Sequence, residues 1–197
     1  MNKILLSLIL SLATVFVFGS KPHTDHIKVN TPRSSIKWIG SKISESHEGT
    51  VGIRQGVLDI KHGVLIGGEI SIDMRSITNT DMEGKRKERL EWHLKSDDFF
   101  NVKSFPLAVI TIKGVVKGVG NSYEIVADLT IKEITHSINF KANVDIKGLR
   151  YEGTAKIKID RTKWDVKYNS GNFFKDLGDK LILDEIEFDI SLFSSFK

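Results

Sequence analysis

The sequence predicts an all-β domain of antiparallel strands, closed as a barrel or folded as a sandwich, behind a short export segment. Three observations carry this expectation. Apolar and polar residues alternate with period two in about eight separate segments, which marks strands with one buried and one wet face. Turns that carry glycine lie between paired segments. A helical pattern enters at one place only. With 197 residues, 27% charged and 40% hydrophobic, the chain suits one domain with an ordinary apolar core.

The elements follow in order. "MNKILLSLILSLATVFVFGS" has a basic start at Lys3, a short apolar run, and Val17 and Gly19 at −3 and −1 of a cut. It reads as a secretory signal peptide over residues 1–19. The run is short for a membrane span and no basic stop-transfer cluster follows it. The mature domain is expected over residues 20–197. The first strand, "SSIKWIGSK", sets Ile36, Trp38 and Gly40 against Ser35, Lys37 and Ser41. "GTVGIRQGVLDI" places Val51 and Ile53 together, and "GGEISIDM" sets Ile70, Ile72 and Met74 opposite Glu69, Ser71 and Asp73. "LAVITIKGV" gives Ala108, Ile110 and Ile112, and "YEIVADLTI" gives Tyr123, Ile125, Ala127, Leu129 and Ile131. The last three strands offer Ile138, Phe140, Ala142, Val144 and Ile146, then Ala155, Ile157 and Ile159, then Ile186, Phe188, Ile190 and Leu192. "KHG" at 61–63, "GVGNS" at 118–122 and "KGLR" at 147–150 supply the turns, with glycine where φ is positive.

Two segments interrupt the pattern. In "TDMEGKRKERLEWHL", Thr80 and Glu83 form a capping box at a helix start. Met82, Leu90, His93 and Leu94 share one side of that helix, and its charged remainder faces water. "GNFFKDLGDK" at 171–180 is a glycine-bounded loop or helical turn. Both irregular regions carry a phenylalanine pair, Phe99–Phe100 and Phe173–Phe174. Surface loops are normally polar, so these rings require an apolar place to go.

Composition narrows the function. Cleavage after Gly19 removes Lys3 and leaves 28 basic against 25 acidic residues, interspersed as on a solvated surface rather than gathered for nucleic acid. With no cysteine there are no disulfides and no lipid-modified export signal. The six histidines, His23, His26, His47, His62, His93 and His136, are scattered without metal-ligand spacing. No HExxH or GxSxG occurs, and "GVVKGVG" lacks the GK[ST] of a phosphate loop. "HLKSDD" is the best acid/base candidate, but Ser96 with Asp97 and Asp98 reads first as the start of a helical turn, and His93 as a satisfied, partly buried side chain. The inward strand phases carry no Asp, Glu or paired His. Periodicity alone leaves open whether that interior is a packed core or an apolar pocket.

Four stretches then resemble the YceI-like family of exported polyisoprenoid-binding proteins. They are "SSIKWIGSKISESHEGTVG" with Ser46, His47, Gly49 and Thr50; "GGEISIDMRSI" ending in Asp73 to Ile77; "HLKSDDFFNVKSFPLAVITI" from His93 through Pro106; and "ADLTIKEITHSINF" with Leu129 to Thr135. Their order and spacing make the resemblance specific, and it covers residue 27 to the C-terminus. Glu133 departs from the family's glycine, which touches only the local turn.

The resemblance implies an extended antiparallel barrel like that of lipocalins, of about eight strands with one short helix inserted and an apolar interior cavity. It implies non-catalytic binding, transport or storage of a polyisoprenoid, an isoprenoid quinone or a fatty lipid. The lining it implies draws on Ile36, Trp38, Val51, Ile53, Ile70, Ile72, Leu94, Phe99, Phe100, Phe105, Ile110, Ile112, Leu129, Phe140, Phe173 and Phe174. His47 and Thr50 stand where a ligand head group would sit, though Ser46–His47 reads equally as a hairpin hydrogen-bonding device. No metal or cofactor is expected beyond the bound lipid, nor nucleic acid, nor stable membrane insertion once the signal is cleaved. A homodimer is allowed. The location implied is the periplasm, with secretion as the alternative. Two other readings remain open: an enzyme acting on such a lipid through His47, His93 or Asp97, and a packed β domain without a cavity that works by protein contact.

Overall fold

The protein is described by a computed structural model over residues 23–195. The signal-peptide expectation for residues 1–19 lies outside the described residues.

Among the described residues nine strands form one antiparallel sheet: β1 (Asp25–Lys28), β2 (Ser35–Lys42), β3 (Ser46–Lys61), β4 (Val64–Asn79), β5 (Leu107–Lys117), β6 (Ser122–Ile131), β7 (Ile134–Lys147), β8 (Arg150–Asp160) and β9 (Ile182–Phe193). They run in the order β1-β3-β2-β9-β8-β7-β6-β5-β4, and β4 pairs again with β3, so β2 to β9 close into an eight-stranded barrel. The short β1, which the alternation does not reveal, pairs with Val57–Ile60 of β3, beyond the half of β3 that pairs with β2. Closure leaves the barrel without a free edge along most of its length, which removes the aggregation hazard of an open sheet.

The strands are long because they alternate without interruption. β3 and β4 run 16 residues each, and bulges at Thr50/Gly52 and Ile53/Gln55 bend their pairing to the barrel wall. Two-residue turns link β3 to β4 and β6 to β7. His62 and Gly63 occupy the first, at φ 51° and 74°, and Lys132 and Glu133 the second, at φ 50° and 62°. Glu133 therefore takes the left-handed conformation that glycine supplies without steric cost, and the turn keeps its geometry despite the departure from the family pattern.

One helix, α1 (Gly84–Lys95), fills the connection from β4 to β5. The capping box does not form: Glu83 is the N-cap residue but its side chain makes no cap hydrogen bond. Thr80 is used elsewhere, since both its backbone N–H and its hydroxyl donate to the carbonyl of Glu48 and prolong the strand. Ser96 caps the other end of α1, its hydroxyl donating to the His93 carbonyl at 2.8 Å. The helix is fastened by Glu91, which accepts from the Thr78 hydroxyl at 2.6 Å and the Asn79 N–H at 2.8 Å. Burial pushes the Glu91 carboxyl up, but these two donors and nearby Lys95 and Lys87 hold it below its ordinary value.

The interior divides along the barrel axis. At the end where β1 lies, Ile27, Leu58, Ile60, Leu65, Tyr123, Val144, Tyr151 and Leu192 pack into a solid core. The other end, where α1, the β2–β3 hairpin and the β8–β9 connection meet, is hollow.

Candidate functional site

The hollow end holds a cavity of about 690 Å³. All eight strands of the barrel line it with alternate side chains: Ile36 and Trp38 from β2, Val51 from β3, Ile72 and Met74 from β4, Ala108 and Ile110 from β5, Leu129 from β6, Ile138 from β7, Ile157 from β8, and Phe188 from β9. The period-two pattern is what turns each of these inward. Trp38 lies across Gly49, its strand partner. A Cβ at Gly49 would sit 2.5 Å from the Trp38 ring and 1.9 Å from the Thr78 carbonyl oxygen. Only glycine lets the indole lie flat on the wall.

The lid over this hollow is built from α1 and the turn after it. Met82, Leu90 and Leu94 face the cavity, and Phe99 and Phe100 close beside them, at 5% and 9% exposure. The two rings meet edge to face at 5.9 Å. The β8–β9 connection adds Tyr168, which stands 4.5 Å from the His93 ring. That connection is fixed by Arg161, which is 1% exposed. Its guanidinium donates to the carbonyls of Val166 at 2.7 Å, Ile182 at 3.0 Å and Leu183 at 3.2 Å, lies 3.3 Å from Asp184 and stacks over Phe99.

The mouth is polar. Ser41, Lys42, Glu45 and His47 come from the β2–β3 hairpin, Arg86, Arg89 and His93 from α1, and Asn169, Asp179 and Lys180 from the β8–β9 connection. His47 Nδ1 lies 2.9 Å from Asp81, whose other oxygen accepts from the Glu48 N–H. Asn79 also donates to Asp81. Burial pushes the Asp81 carboxyl up, yet the hydrogen bonds from His47, Asn79 and Glu48 hold it below its ordinary value. The Ser46 hydroxyl is paired with that of Ser41 at 2.8 Å. Ser46 thus ties the hairpin to itself, whereas His47 ties it to Asp81 in the β4–α1 connection and also lines the cavity.

His93 is not the satisfied residue the sequence suggests. Its Nε2 is buried without a hydrogen bond and lies 3.7 Å from Asp98. Burial lowers its pKa, Asp98 opposes this, and Arg89 and Lys42 add to it. The folded chain therefore binds fewer protons than the unfolded one between pH 6.5, the ordinary histidine value, and the depressed one. Stability contributed by neutral His93 is present above that window and is lost as pH falls through it. We expect thermal melts taken from about pH 8 to about pH 5 to fall more steeply for the wild type than for H93Q. Parallel curves would show that His93 does not titrate differently on folding.

Of the residues named from sequence, Ile36, Trp38, His47, Val51, Ile72, Leu94, Phe99, Phe100, Ile110 and Leu129 line the cavity. Ile70 packs in the core beyond it. Ile53, Ile112 and Phe140 pack against that core without reaching the lining; Ile53 and Ile112 keep the inward phase, opposite Ile72 and Ala127, and Ile112 lies two residues along β5 from Ile110, the last of that strand to reach the hollow. Thr50 points out of the barrel, on the opposite phase to Gly49 and Val51, and Phe105 is half-buried at the approach to β5. Phe173 and Phe174 stand 51% and 49% exposed outside the lining. Instead of turning inward, Phe173 receives the Lys167 ammonium 5.0 Å above its ring. Asp97 is exposed, and among the described residues no hydrogen bond joins His93 to Asp97 or His47. No group of three or more His, Asp and Glu among the described residues is placed to hold a metal.

Sequence reasoning misses the cationic part of the mouth. Arg86 and Arg89 fall at helical spacing with Met82, Leu90 and His93 and share their face. That spacing is readable, but a charged side chain on a helix ordinarily signals a face turned to water.

The sequence matches the YceI-like domain family over residues 26–193. Among solved structures, BcnA of Burkholderia cenocepacia superposes with a TM-score of 0.68 at 17% identity, over 85% of this chain and 99% of that one. A polyisoprenoid binding domain from Saccharophagus degradans, implicated in plant cell wall breakdown, gives 0.63 at 14% identity, over 90% of this chain and 100% of that one. The Campylobacter jejuni YCEI protein gives 0.54 at 15% identity, with both chains covered completely. No curated protein matches the sequence.

Proposed function

The chain belongs to the YceI-like family, and from that premise we propose that it binds a long apolar amphiphile, of the isoprenoid or fatty class, inside the barrel without transforming it. One observation carries the reading: a cavity of about 690 Å³, walled by apolar side chains from every barrel strand and open at one end. A tail placed there gains about 0.8 kcal/mol for each methylene removed from water, so ten buried methylenes supply about 8 kcal/mol before the cost of association. Shape and length then set selectivity, and few polar contacts are needed. A solved relative of the same fold is described as a polyisoprenoid binding domain, which supports this ligand class. The scatter of His47, His93 and Asp97 supports binding over catalysis. The protein acts, in this reading, after export to the periplasm, with residues 1–19 removed.

The test is extraction. Purified protein from the envelope fraction, treated with organic solvent, should release an isoprenoid or fatty lipid at close to one equivalent per chain by mass spectrometry. Recovery of a chemically altered lipid after added lipid is incubated with the protein would favour an enzyme. No extracted lipid, together with no saturable uptake of added lipid, would leave a β domain that works by protein contact.

A further inference from the structure

We infer that the mouth of the cavity is a receptor for an anionic head group, held by Arg86, Arg89 and Lys180, so that the ligand is an anionic amphiphile and not a neutral one. This rests on the reading above that the cavity takes an apolar tail.

Among the charges that line the cavity, Lys42 is used by Glu45 at 3.0 Å, and Arg161 by three carbonyls and Asp184. That leaves Arg86, Arg89 and Lys180 against Asp179, with Glu45, already held by Lys42, also in the field of Arg86. None of these three side chains makes a hydrogen bond or ion pair among the described residues, whereas Lys87 on the same helix reaches Glu91. The surplus is also kept against local physics. Arg86 lies in the first turn of α1, which contains no acidic residue, and the partial positive charge of a helix N-terminus disfavours a cation there. Natural chains break such local rules mainly at functional sites. Beside these groups, His93 Nε2 is buried in the lining without a hydrogen bond, and an oxygen-rich head group at the mouth would satisfy it. The cations ring the opening of an apolar hollow rather than forming a stripe on a flat face. A tail inserted into the barrel therefore carries its head group directly into their field.

The shared chemistry is an oxyanion on a long tail, and both phosphate and carboxylate provide it. Lipid-stripped protein would be titrated with two matched pairs, farnesyl phosphate against farnesol and palmitate against hexadecanol, read by quenching of Trp38 in the wall. At roughly 20 mM salt we expect each anion to bind about tenfold or more tightly than its alcohol, with the gap narrowing at roughly 500 mM. In R86Q/R89Q that preference should shrink to about twofold while the alcohols bind as before. Both arginines are exposed, so the variant should melt with the wild type. A greater gain for phosphate than for carboxylate would assign a doubly charged head, and equal gains a singly charged one. Equal affinity within both pairs, or equal losses for anion and alcohol in the variant, would overturn the inference and leave the cavity reading standing. Failure of all four ligands to bind would remove the cavity reading and this inference with it.

Discussion

Arg161→Met should destabilise the protein by about 3–5 kcal/mol, the range for breaking a buried charged network from one side. The guanidinium is 1% exposed and donates to the carbonyls of Val166, Ile182 and Leu183. Methionine fills similar space but leaves these acceptors unmet and Asp184 without the cation 3.3 Å away. The loss should not be confined to stability. Arg161 joins the end of β8 to the start of β9 and lies over Phe99, whose ring meets His93 at 5.3 Å. Loosening it frees the β8–β9 connection from the lid, and lipid should leave faster even well below the melting temperature. Arg161→Lys should recover little, since an ammonium cannot reach three carbonyls in the fixed planar fork that guanidinium provides. Chemical denaturation of both variants, beside the dissociation rate of a fluorescent fatty ligand, checks the two effects together. A loss under about 1 kcal/mol for the methionine variant would mean that the connection is held chiefly by its apolar contacts.

The barrel is legible in sequence because its wall obeys one rule. Alternation locates all eight barrel strands and turns Trp38, Val51, Ile72 and Ile110 inward, where each lines the cavity. Phase alone does not fix the lining: Ile53 and Ile112 face inward opposite Ile72 and Ala127, yet neither reaches the cavity. It is also silent on depth. Tyr123 and Leu129 share one strand and one phase, yet Tyr123 is sealed in the solid core and Leu129 faces the hollow, because the difference depends on how far along the barrel each lies. The phenylalanine pairs show the limit of argument by composition. Identical dipeptides in two loops have opposite fates. Phe99 and Phe100 follow a helix anchored over the barrel, whereas Phe173 and Phe174 sit on a tight turn whose N–H groups donate to the Ser170 carbonyl, and that turn holds them half exposed. Arg86 and Arg89 are exposed, as a charged helix face should be, and only the fold reveals that they also stand at the mouth of a cavity.

Ala108→Phe should abolish most lipid retention while leaving the fold intact. Ala108 is 2% exposed, lies opposite Ile72 on the neighbouring strand, and its methyl group faces the cavity. A phenyl ring built there is directed at the cavity that Ala108 lines, but it must displace the neighbours that already cover the methyl, so an overpacking penalty toward the low end of about 1–3 kcal/mol is expected. The ring is itself apolar, and its burial offsets that penalty, which predicts a melting temperature close to that of the wild type for the lipid-free protein. For a bound tail the same ring is an obstacle. If it displaces four methylenes, about 3 kcal/mol of transfer free energy is lost, a fall in affinity of roughly a hundredfold. A large loss of binding beside a nearly unchanged stability makes the result diagnostic. A variant that merely misfolds loses both, and a variant of a solid core loses stability first, because the ring would have nowhere to go. The measurement pairs thermal melts of lipid-stripped wild type and A108F with titration of palmitate against each. An unchanged affinity at an unchanged melting temperature would place the tail elsewhere than along β4 and β5, and a large fall in melting temperature with no cavity-dependent binding in the wild type would mean that the barrel closes around no ligand.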